Sequence, residues 1–352
     1  MRIAQLAPLI ESVPPATYGG IELVVSLLTE ELVRRGHEVT LFASGDSTTD
    51  ARLIPVVDKS LRNSEGGRVH LWHAFDYKSL IMLESMCDQF DVVHNHMGWE
   101  ALPFLEELPV PVLSTNHNII EESVSPIYWH YRRLPFVAIS DSYRQRNLPD
   151  ILNYVDTIYN GIDTGRYEFD EQANRTYLCF LGRLCIDKGI VEAIQIARRL
   201  NLPLKIAGKI DAADRAYFDR QVQHLLDGKQ IEYVGEVDHA GKIELFRNAI
   251  AVVYPINFDE PFGLVMAEAL ACGVPPLALN RGAVREVLDD ETAVIGDSVD
   301  ELVERFGEIQ RISRRQCRLR AQARFSKELM ADKYESVFEE LSLRNRVEAM
   351  SS

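Results

Sequence analysis

Residues 177–208 read YLCFLGRLCIDKGIVEAIQIARRLNLPLKIAG. Two short apolar runs, YLCFL and PLKIA, flank a segment whose apolar residues recur at helical spacing, so the stretch predicts strand, helix, strand. Strands joined by a crossover helix lie parallel in one sheet. Similar runs follow as IEYVG, AVVYP and PPLALN, and precede it as RIAQLA, HEVTLFA, FDVVHNH, PVLSTNH, FVAIS and DTIYNGI. The chain is therefore predicted to be an α/β protein whose parallel sheets are covered on both faces.

The length of 352 residues exceeds what one hydrophobic core usually serves, which predicts two domains. The alternation restarts after residue 175, behind the polar stretch GIDTGRYEFDEQANR, which is interpreted as a linker. We expect two doubly wound, Rossmann-like domains, 1–165 and 166–326, facing a central cleft where ligands meet the carboxyl ends of the strands. The tail from about Ser298 is expected to be helical.

Charge argues against several classes of protein. The 38 basic and 53 acidic residues give a net charge of −15, which is atypical of a general binder of nucleic acid or anionic membranes. Six arginines between Arg311 and Arg324 are interspersed with Leu, Ala and Phe, so they are interpreted as a solvated helix face rather than a binding patch. No G-x-G occurs, so neither a nicotinamide fingerprint nor a Walker loop is present.

The cysteines and the amino terminus indicate the cellular compartment of the protein. The five cysteines are odd in number and form no close pair, which indicates reduced core thiols rather than disulfides or a zinc site. The start MRIAQLAPLIESVPP lacks the features of a secretory signal, and no uncharged apolar run reaches transmembrane length. We expect a cytoplasmic protein without a transmembrane segment.

A pair of cations marks the first strand of the second half. In GRLCIDKG, Arg183 directly follows the strand and Lys188 is predicted at the start of the next helix. A helix N-terminus attracts anions through its free N–H groups and its dipole, so two cations there are typical of a diphosphate clamp. The alternative is a pair of surface cations on a loop between strand and helix.

Two carboxylates stand in an apolar context at residues 258–276, FDEPFGLVMAEALACGVPP. A carboxylate among apolar neighbours needs a polar partner. Glu260 lies in the loop before a predicted helix that starts with the N–H groups of Gly263, Leu264 and Val265, and Glu268 lies about one turn inside that helix. Sugar hydroxyls could satisfy both carboxylates. The alternative is a helix-capping Glu260 and a solvent-facing Glu268.

These motifs together resemble the retaining glycosyltransferases of family 4, whose fold is GT-B. GRLCIDKG followed by EPFGLVMAEALACGVP is similar to the donor-nucleotide site of that family, and YGGIELVVSLLTEELVRRGHEVTLF to its N-terminal glycine loop and first helix. DVVHNH and STNH resemble its mid-domain strands, and IYNGID its inter-domain segment. ARFSKELMADKYESVFEEL resembles its closing helix, which implies that a helix at about 327–352 packs back onto the first domain. The likeness runs through the whole chain.

The resemblance implies roles for individual residues. Arg183 and Lys188 would hold the donor diphosphate, Glu260 would approach the donor sugar, and Glu268 would hold the ribose. His117 matches the active-site histidine, whereas His94 and His96 are expected to shape the floor of the cleft. The implied catalytic residues are His117, Glu260, Arg183 and Lys188, and the implied donor-binding residues are Gly19, Gly20, Arg183, Lys188, Phe262, Gly263, Leu264, Val265 and Glu268.

The resemblance also implies a reaction. The first domain would serve the acceptor and the second the nucleotide sugar, with UDP-glucose the expected donor and a small molecule or glycan the acceptor. A retaining, metal-independent hexosyltransferase without a cofactor is expected, because cations can stabilise the leaving diphosphate and no D-x-D occurs. No nucleic-acid partner is expected. The protein is expected to be a monomer or a homodimer. The alternatives are a GT-B nucleotide-sugar epimerase and a non-catalytic nucleotide-sugar-binding protein.

Two aromatic-rich stretches in the first half have two interpretations. HLWHAFDY at residues 70–77 and YWHY at residues 128–131 carry ring faces that bind sugars or flat rings. They could equally belong to the core.

Overall fold

The computed structural model describes residues 1–17, 19–64 and 68–351, without the side chains of 346 and 348–351. The chain divides into two compact units, unit 1 with Met1–Gly161 and Lys327–Ser352, and unit 2 with Ile162–Ser326. Unit 2 is thus inserted, in sequence, into unit 1. None of the described helices is long and apolar enough to cross a membrane.

Unit 1 contains a parallel sheet in the order β3-β2-β1-β4-β5-β6-β7. The inner strands β1, β2, β4, β5 and β6 are almost fully buried, as expected for a sheet with helices on both faces, whereas the edge strands β3 and β7 are mostly half-buried. The order reverses between β1 and β4. The elements of this unit are β1 (Arg2–Leu6), α1 (Gly20–Arg34), β2 (Glu38–Ser44), β3 (Arg52–Val57), α2 (Trp72–Glu84), β4 (Val92–Asn95), α3 (Leu102–Leu105), β5 (Val112–Asn116), α4 (Ser125–His130), β6 (Pro135–Ala138), α5 (Asp141–Arg146), β7 (Asn153–Thr157) and α13 (Lys327–Ser351).

Unit 2 contains a parallel sheet in the order β10-β9-β8-β11-β12-β13. Its core packs the apolar face of helix α6 against β8 and β9, with Ile190, Ile194 and Leu178 fully buried. The order reverses between β8 and β11. The elements are β8 (Tyr177–Leu181), α6 (Ile190–Leu200), β9 (Leu204–Ala207), α7 (Arg215–Tyr217), β10 (Ile231–Gly235), α8 (His239–Arg247), β11 (Ala249–Tyr254), α9 (Leu264–Ala271), β12 (Pro276–Leu279), α10 (Val284–Val287), β13 (Val294–Gly296), α11 (Val299–Arg305) and α12 (Arg314–Arg324).

The last helix, α13, packs into unit 1. Tyr334 and Phe338 are buried, and the Tyr334 hydroxyl lies 2.9 Å from Thr115 Oγ1 on β5. Glu335 pairs with Arg35 at the end of α1 and lies 2.6 Å from His37 Nε2. The helix therefore completes unit 1 with both apolar and polar contacts.

The fold class predicted from the alternation of strands and helices is confirmed, but several elements differ. Two edge strands were not predicted: β3 contains Pro55, a residue that weakens a strand pattern and is tolerated at sheet edges, and β13 has only three residues. The run DTIYNGI, predicted as a strand, contributes only its first two residues to β7. The helix predicted from Asp211 is broken into short α, π and 3-10 turns between residues 212 and 225.

Three of the six arginines between Arg311 and Arg324 bind neighbouring groups, so the prediction of a solvated face is wrong for these three, whereas Arg311 and Arg315 are exposed. Arg314 donates to the Gly273 and Ile250 carbonyls, and Arg318 donates to the Tyr167 and Ala271 carbonyls. Arg320 donates to Val287 and Glu286 carbonyls and pairs with Asp289. These guanidinium groups hold α12 against its neighbours, because backbone carbonyls left over at loop and helix ends need donors.

Candidate functional site

The reversal of strand order in unit 2 places the loops after β8 and β11 side by side. Parallel α/β sheets bind ligands at the carboxyl ends of the strands, where the strand order reverses. The loop after β8 carries Arg183 and Lys188, and the loop after β11 carries Glu260. The residues singled out in two separate motifs therefore meet at one edge of the sheet.

Lys188 and Glu260 form an ion pair across these loops. The Lys188 ammonium lies 2.7 Å from Glu260 Oε2 and 4.5 Å from the ring centre of Phe258. The prediction placed Lys188 at the start of the helix. In the structure it lies two residues before the helix, because α6 begins at Ile190 with Gly189 as N-cap. Gly189 has φ +71°, and a Cβ there would lie 1.8 Å from the Pro255 carbonyl oxygen. Only glycine allows this approach.

The Glu260 side chain is nearly buried and its orientation is fixed from two sides. The Tyr254 hydroxyl, at the end of β11, donates to Oε2, the same oxygen that Lys188 contacts. The backbone is held by Ala283, whose N–H donates to the Glu260 carbonyl at 2.9 Å. A Cβ at Gly282 would lie 2.4 Å from the Glu260 backbone, so this contact also requires glycine. Glu260 is thus a positioned carboxylate and not a mobile loop side chain.

Glu268, on α9, is 2% exposed and does not face solvent. Its Oε1 accepts from the Lys242 ammonium at 2.5 Å and from the Tyr167 hydroxyl at 2.8 Å. Burial, followed by the neighbouring carboxylate, raises the pKa of Tyr167 well above its usual value, so its hydroxyl keeps the proton that it donates. The polar partners that a carboxylate in an apolar helix requires are therefore a lysine and a tyrosine, the same two residue types that hold Glu260.

Arg183 stands among three aspartates. Its guanidinium nitrogens lie 3.4 Å from Asp214, 3.9 Å from Asp211 and 3.9 Å from Asp187. Its side chain is 35% exposed, so it is open to a ligand from one side. The predicted clamp cations therefore both have carboxylates beside them.

The start of α9 supplies further polar groups. Gly263 is its N-cap with φ +83°, and Leu264 and Val265, the first two helical residues, are half-buried. The first N–H groups of a helix have no intrahelical acceptor and attract anions. Phe262 differs from this group, because its side chain is buried edge-on against Phe325 with ring centres 5.7 Å apart. The side chain of Phe262 therefore packs in the interior of unit 2.

In unit 1 the predicted histidine belongs to a chain of hydrogen bonds at the carboxyl ends of β1, β4 and β5. His117 Nε2 lies 2.9 Å from His96 Nδ1, and His96 Nε2 lies 3.0 Å from Gln5 Oε1. His94 Nε2 lies 2.8 Å from Thr115 Oγ1, which in turn contacts Tyr334. His94 and His96 are buried, and His117 is half-buried.

The protonation of this chain follows from burial. Burial lowers the pKa of His117 to about 4 and that of His96 well below its usual value, so both rings are neutral at pH 7. With the Gln5 amide as assigned, its oxygen accepts from His96 Nε2, which leaves His96 Nδ1 as the acceptor. His117 Nε2 therefore donates, and His117 Nδ1 has a lone pair directed away from His96.

The glycine loop of unit 1 ends at the start of α1. Gly19 is the N-cap of α1, and a Cβ there would lie 2.7 Å from Pro15 Cβ, so the loop folds tightly on itself. Gly20 is exposed as the first helical residue. Glu22, two residues further, is 6% exposed, and burial raises its pKa to about 7.

The remaining candidate side chains are those that could bind a metal or react as thiols. The part of the chain that the structure describes contains no group of three or more His, Cys, Asp or Glu side chains that could hold a metal ion. Four of the five free cysteines are buried, and burial raises the pKa of Cys272 and of Cys317 to about 12.

The sequence did not reveal four residues that orient the predicted ones. They are Gln5, Tyr167, Lys242 and Tyr254, of which Tyr167 lies in the stretch interpreted as a linker. Tyr254 follows five apolar residues at the end of a strand, a position that could have indicated it. Lys242 carries no local signal, because its contact with α9 depends on how α8 packs.

Comparison with known proteins gives a consistent picture. Residues 163–325 match the family model described as Glycosyl transferases group 1, and residues 18–166 match that of Glycosyltransferase Family 4. A glycogen synthase of Mycobacterium tuberculosis is 26% identical over 331 residues, covering 80% of this chain and 79% of that protein. A phosphatidyl-myo-inositol mannosyltransferase of the same species is 27% identical over 324 residues, with 82% and 80% covered. The sucrose-phosphate synthase structure from Thermosynechococcus elongatus superposes with a TM-score of 0.80 at 19% identity, covering 97% of this chain and 99% of that one.

Proposed function

This chain belongs to glycosyltransferase family 4, the GT-B enzymes that both of its units resemble, and we propose that it transfers a hexosyl group from UDP-glucose to an acceptor hydroxyl. The acceptor is a small molecule or a glycan. As a glycosyltransferase it uses a nucleotide-sugar donor, which is a substrate and not a cofactor.

The observation that carries the proposal is the pair of positioned carboxylates in unit 2. Glu260 and Glu268 are both nearly buried, and each is held by one lysine and one tyrosine. A buried carboxylate oxygen fixed in this way makes strong, directional hydrogen bonds to hydroxyl groups. We assign the donor sugar to Glu260 and the ribose to Glu268, because Glu260 lies in the loop beside Lys188 whereas Glu268 lies inside α9.

The diphosphate would be held by the cations and by the start of α9. Arg183, Lys188 and the N–H groups of Leu264 and Val265 stabilise the negative charge that develops on the leaving diphosphate as the sugar–phosphate bond breaks. The positive charge on the anomeric carbon develops beside Glu260. This arrangement supports a metal-independent reaction, and we propose retention of anomeric configuration, as the family resemblance implies.

His117 is proposed as the active-site histidine of unit 1. Its lowered pKa makes it a neutral hydrogen-bonding group and not a cation, and the tautomer fixed through His96 and Gln5 leaves Nδ1 as an acceptor. An acceptor nitrogen can orient a substrate hydroxyl. Gly19 and Gly20 would allow the loop before α1 to approach the donor.

The test is product analysis with radiolabelled UDP-glucose, with and without an extract of small metabolites. Transfer of the label to a new compound only when the extract is present supports the proposal. Conversion of the donor to its epimer would instead support the epimerase alternative. Binding of the nucleotide sugar without turnover in any extract would support a non-catalytic binding protein. The same assay with GDP- and ADP-glucose identifies the base.

A further inference from the structure

The two aromatic-rich stretches of unit 1 meet at one cavity. Helix α2 contributes Tyr77 from the first stretch, and the end of α4 contributes His130 and Tyr131 from the second. Trp99 and Phe104, which follow β4, complete the aromatic lining of an open cavity of about 640 Å³. The volume lies in the usual range for small-molecule sites.

The aromatic rings of this cavity are available to a ligand. Tyr77 is 44% exposed and Phe104 is 37% exposed, with ring centres 5.7 Å apart. Aromatic side chains that only filled a core would be covered. Exposed ring faces in a concave surface bind flat or ring-shaped ligands, and they attract cations through their π-electrons.

Glu100 is the charged residue of the lining, and its position is unusual. It is 3% exposed, and its Oε1 is buried without a hydrogen-bond partner among the described residues. The nearest basic atom, His73 Nδ1, lies 3.9 Å from that oxygen, beyond hydrogen-bond distance. A buried carboxyl oxygen without a partner is destabilising, so Glu100 lacks a donor that a ligand can supply.

A second buried carboxyl group, close to Glu100, adds to the need for a positively charged donor. Asp76, on α2 next to Tyr77, lies behind the lining of the cavity and within electrostatic reach of Glu100; it is also 3% exposed, and it forms no ion pair within the described residues. Burial raises the pKa of Glu100 to about 7, and burial together with the charge of Glu100 raises that of Asp76 to about 7. A positive charge in the cavity would favour the ionised form of both groups. The cavity therefore suits a cation better than a neutral molecule.

We propose that this cavity binds an amine-bearing sugar, with the ammonium group at Glu100 and the sugar ring against Tyr77 and Trp99. The segment that follows β4 carries Trp99 and Glu100, and α4 follows β5, so the cavity is built from the same strand ends that position His96 and His117. The role of this cavity as the acceptor site rests on the proposed glycosyltransferase function. The binding of an amine-bearing sugar in the cavity does not depend on that function.

Calorimetry without any donor tests the binding, with glucosamine, glucose and N-acetylglucosamine as probes. The three share a ring and differ in charge, and the pH is chosen so that the amine of glucosamine is protonated. We expect glucosamine to bind at least tenfold more tightly than either neutral sugar. Glu100→Gln should abolish this preference, and it should not unfold the protein because it removes an unpartnered buried charge.

The matched control is Glu106→Gln, an exposed glutamate just after α3 that changes the net charge equally. It should preserve the preference. Tyr77→Ala, at an exposed position, should weaken binding of all three sugars several-fold. Equal affinities for the three sugars, no binding of any, or an unchanged preference in Glu100→Gln would each overturn the proposal. UDP binding by the wild-type protein separates the two proposals. If the sugar experiments fail but the wild-type protein binds UDP, only the cavity proposal is wrong. If the wild-type protein neither binds UDP nor transfers sugar, the proposed function is wrong.

Discussion

Replacing Glu260 by Gln should strengthen the binding of free UDP while it slows transfer. Lys188 is paired with Glu260 at 2.7 Å, so a diphosphate must compete with that carboxylate for the ammonium group. The carboxylate also repels the diphosphate. Glutamine removes the charge but still accepts the hydrogen bond from Tyr254, which limits disturbance of the loop.

The magnitude follows from the geometry. Two unit charges at this separation attract by about 6 kcal/mol at an effective dielectric constant of 20 and by about 1.5 kcal/mol in water. Desolvation offsets much of this, and a hydrogen bond to a charged group contributes about 1.5–3 kcal/mol net. Because the ammonium has three N–H groups and can retain a second partner, we expect the lower end, about 1.5 kcal/mol, or roughly tenfold in the dissociation constant.

Calorimetry with free UDP and steady-state rates with UDP-glucose provide the readouts. Glu260→Gln should bind UDP about tenfold more tightly and turn over more slowly, since Glu260 is proposed to position the sugar as charge develops. Glu268→Gln should bind UDP more weakly by about 1.5–3 kcal/mol. Glu291→Gln, an exposed residue of unit 2, is the charge-matched control and should change neither quantity. Weaker UDP binding in Glu260→Gln than in the wild type would refute the reasoning.

Further expectations concern stability and metals. Lys242→Met should lower the free energy of unfolding by about 2–3 kcal/mol, because it leaves the buried charge of Glu268 without a cation. In denaturant titration, the double variant with Glu268→Gln should recover most of this free energy. No recovery would mean that the ion pair is not the cause of the loss. Burial raises the pKa values of Glu22, Asp76 and Glu100 to about 7, so the folded state holds protons that the unfolded state releases near pH 4–5. The contribution of these three groups to stability is therefore greatest at about pH 5 and below, and it should fall by about 2–3 kcal/mol per group as the pH rises from about 5 to 8. The fall should be shallower in Glu100→Gln, and an identical profile for that variant and the wild type by thermal unfolding would contradict this. Transfer should persist in EDTA, and activity that EDTA abolishes and Mg²⁺ or Mn²⁺ restores would contradict the cationic clamp.

The sequence predicts most of the fold because the relevant signals are local. Short apolar runs separated by helical periodicity determine a parallel sheet, and the carboxyl ends of parallel strands share one edge. The family resemblance, and not this pattern, implied that Lys188 and Glu260, 72 positions apart, serve one donor site, and in the structure their side chains are in contact. The edge strands β3 and β13 lacked a clear signal, because one is interrupted by Pro55 and the other is very short.

The partners of the predicted residues could not be deduced in the same way. Tyr167 and Lys242 reach Glu268 from sequence positions 101 and 26 residues away, and only the packing of helices determines that they converge. Likewise, a cluster of arginines looks the same in sequence whether it faces water or backbone carbonyls. Electrostatic roles depend on distances and burial, which periodicity does not encode.

The inserted order of the units has a consequence for how the protein is made. Residues 162–326 are contiguous, so unit 2 can be completed while the rest of the chain is still emerging from the ribosome. Unit 1 is different, because Tyr334 supplies the hydroxyl that contacts Thr115, the neighbour of His94. Helix α13, which completes unit 1, is synthesised after unit 2. A chain interrupted before Lys327 would thus carry a complete unit 2 beside an incomplete unit 1, and the contact of Tyr334 with Thr115, next to the buried His94, can form only after α13 has been synthesised.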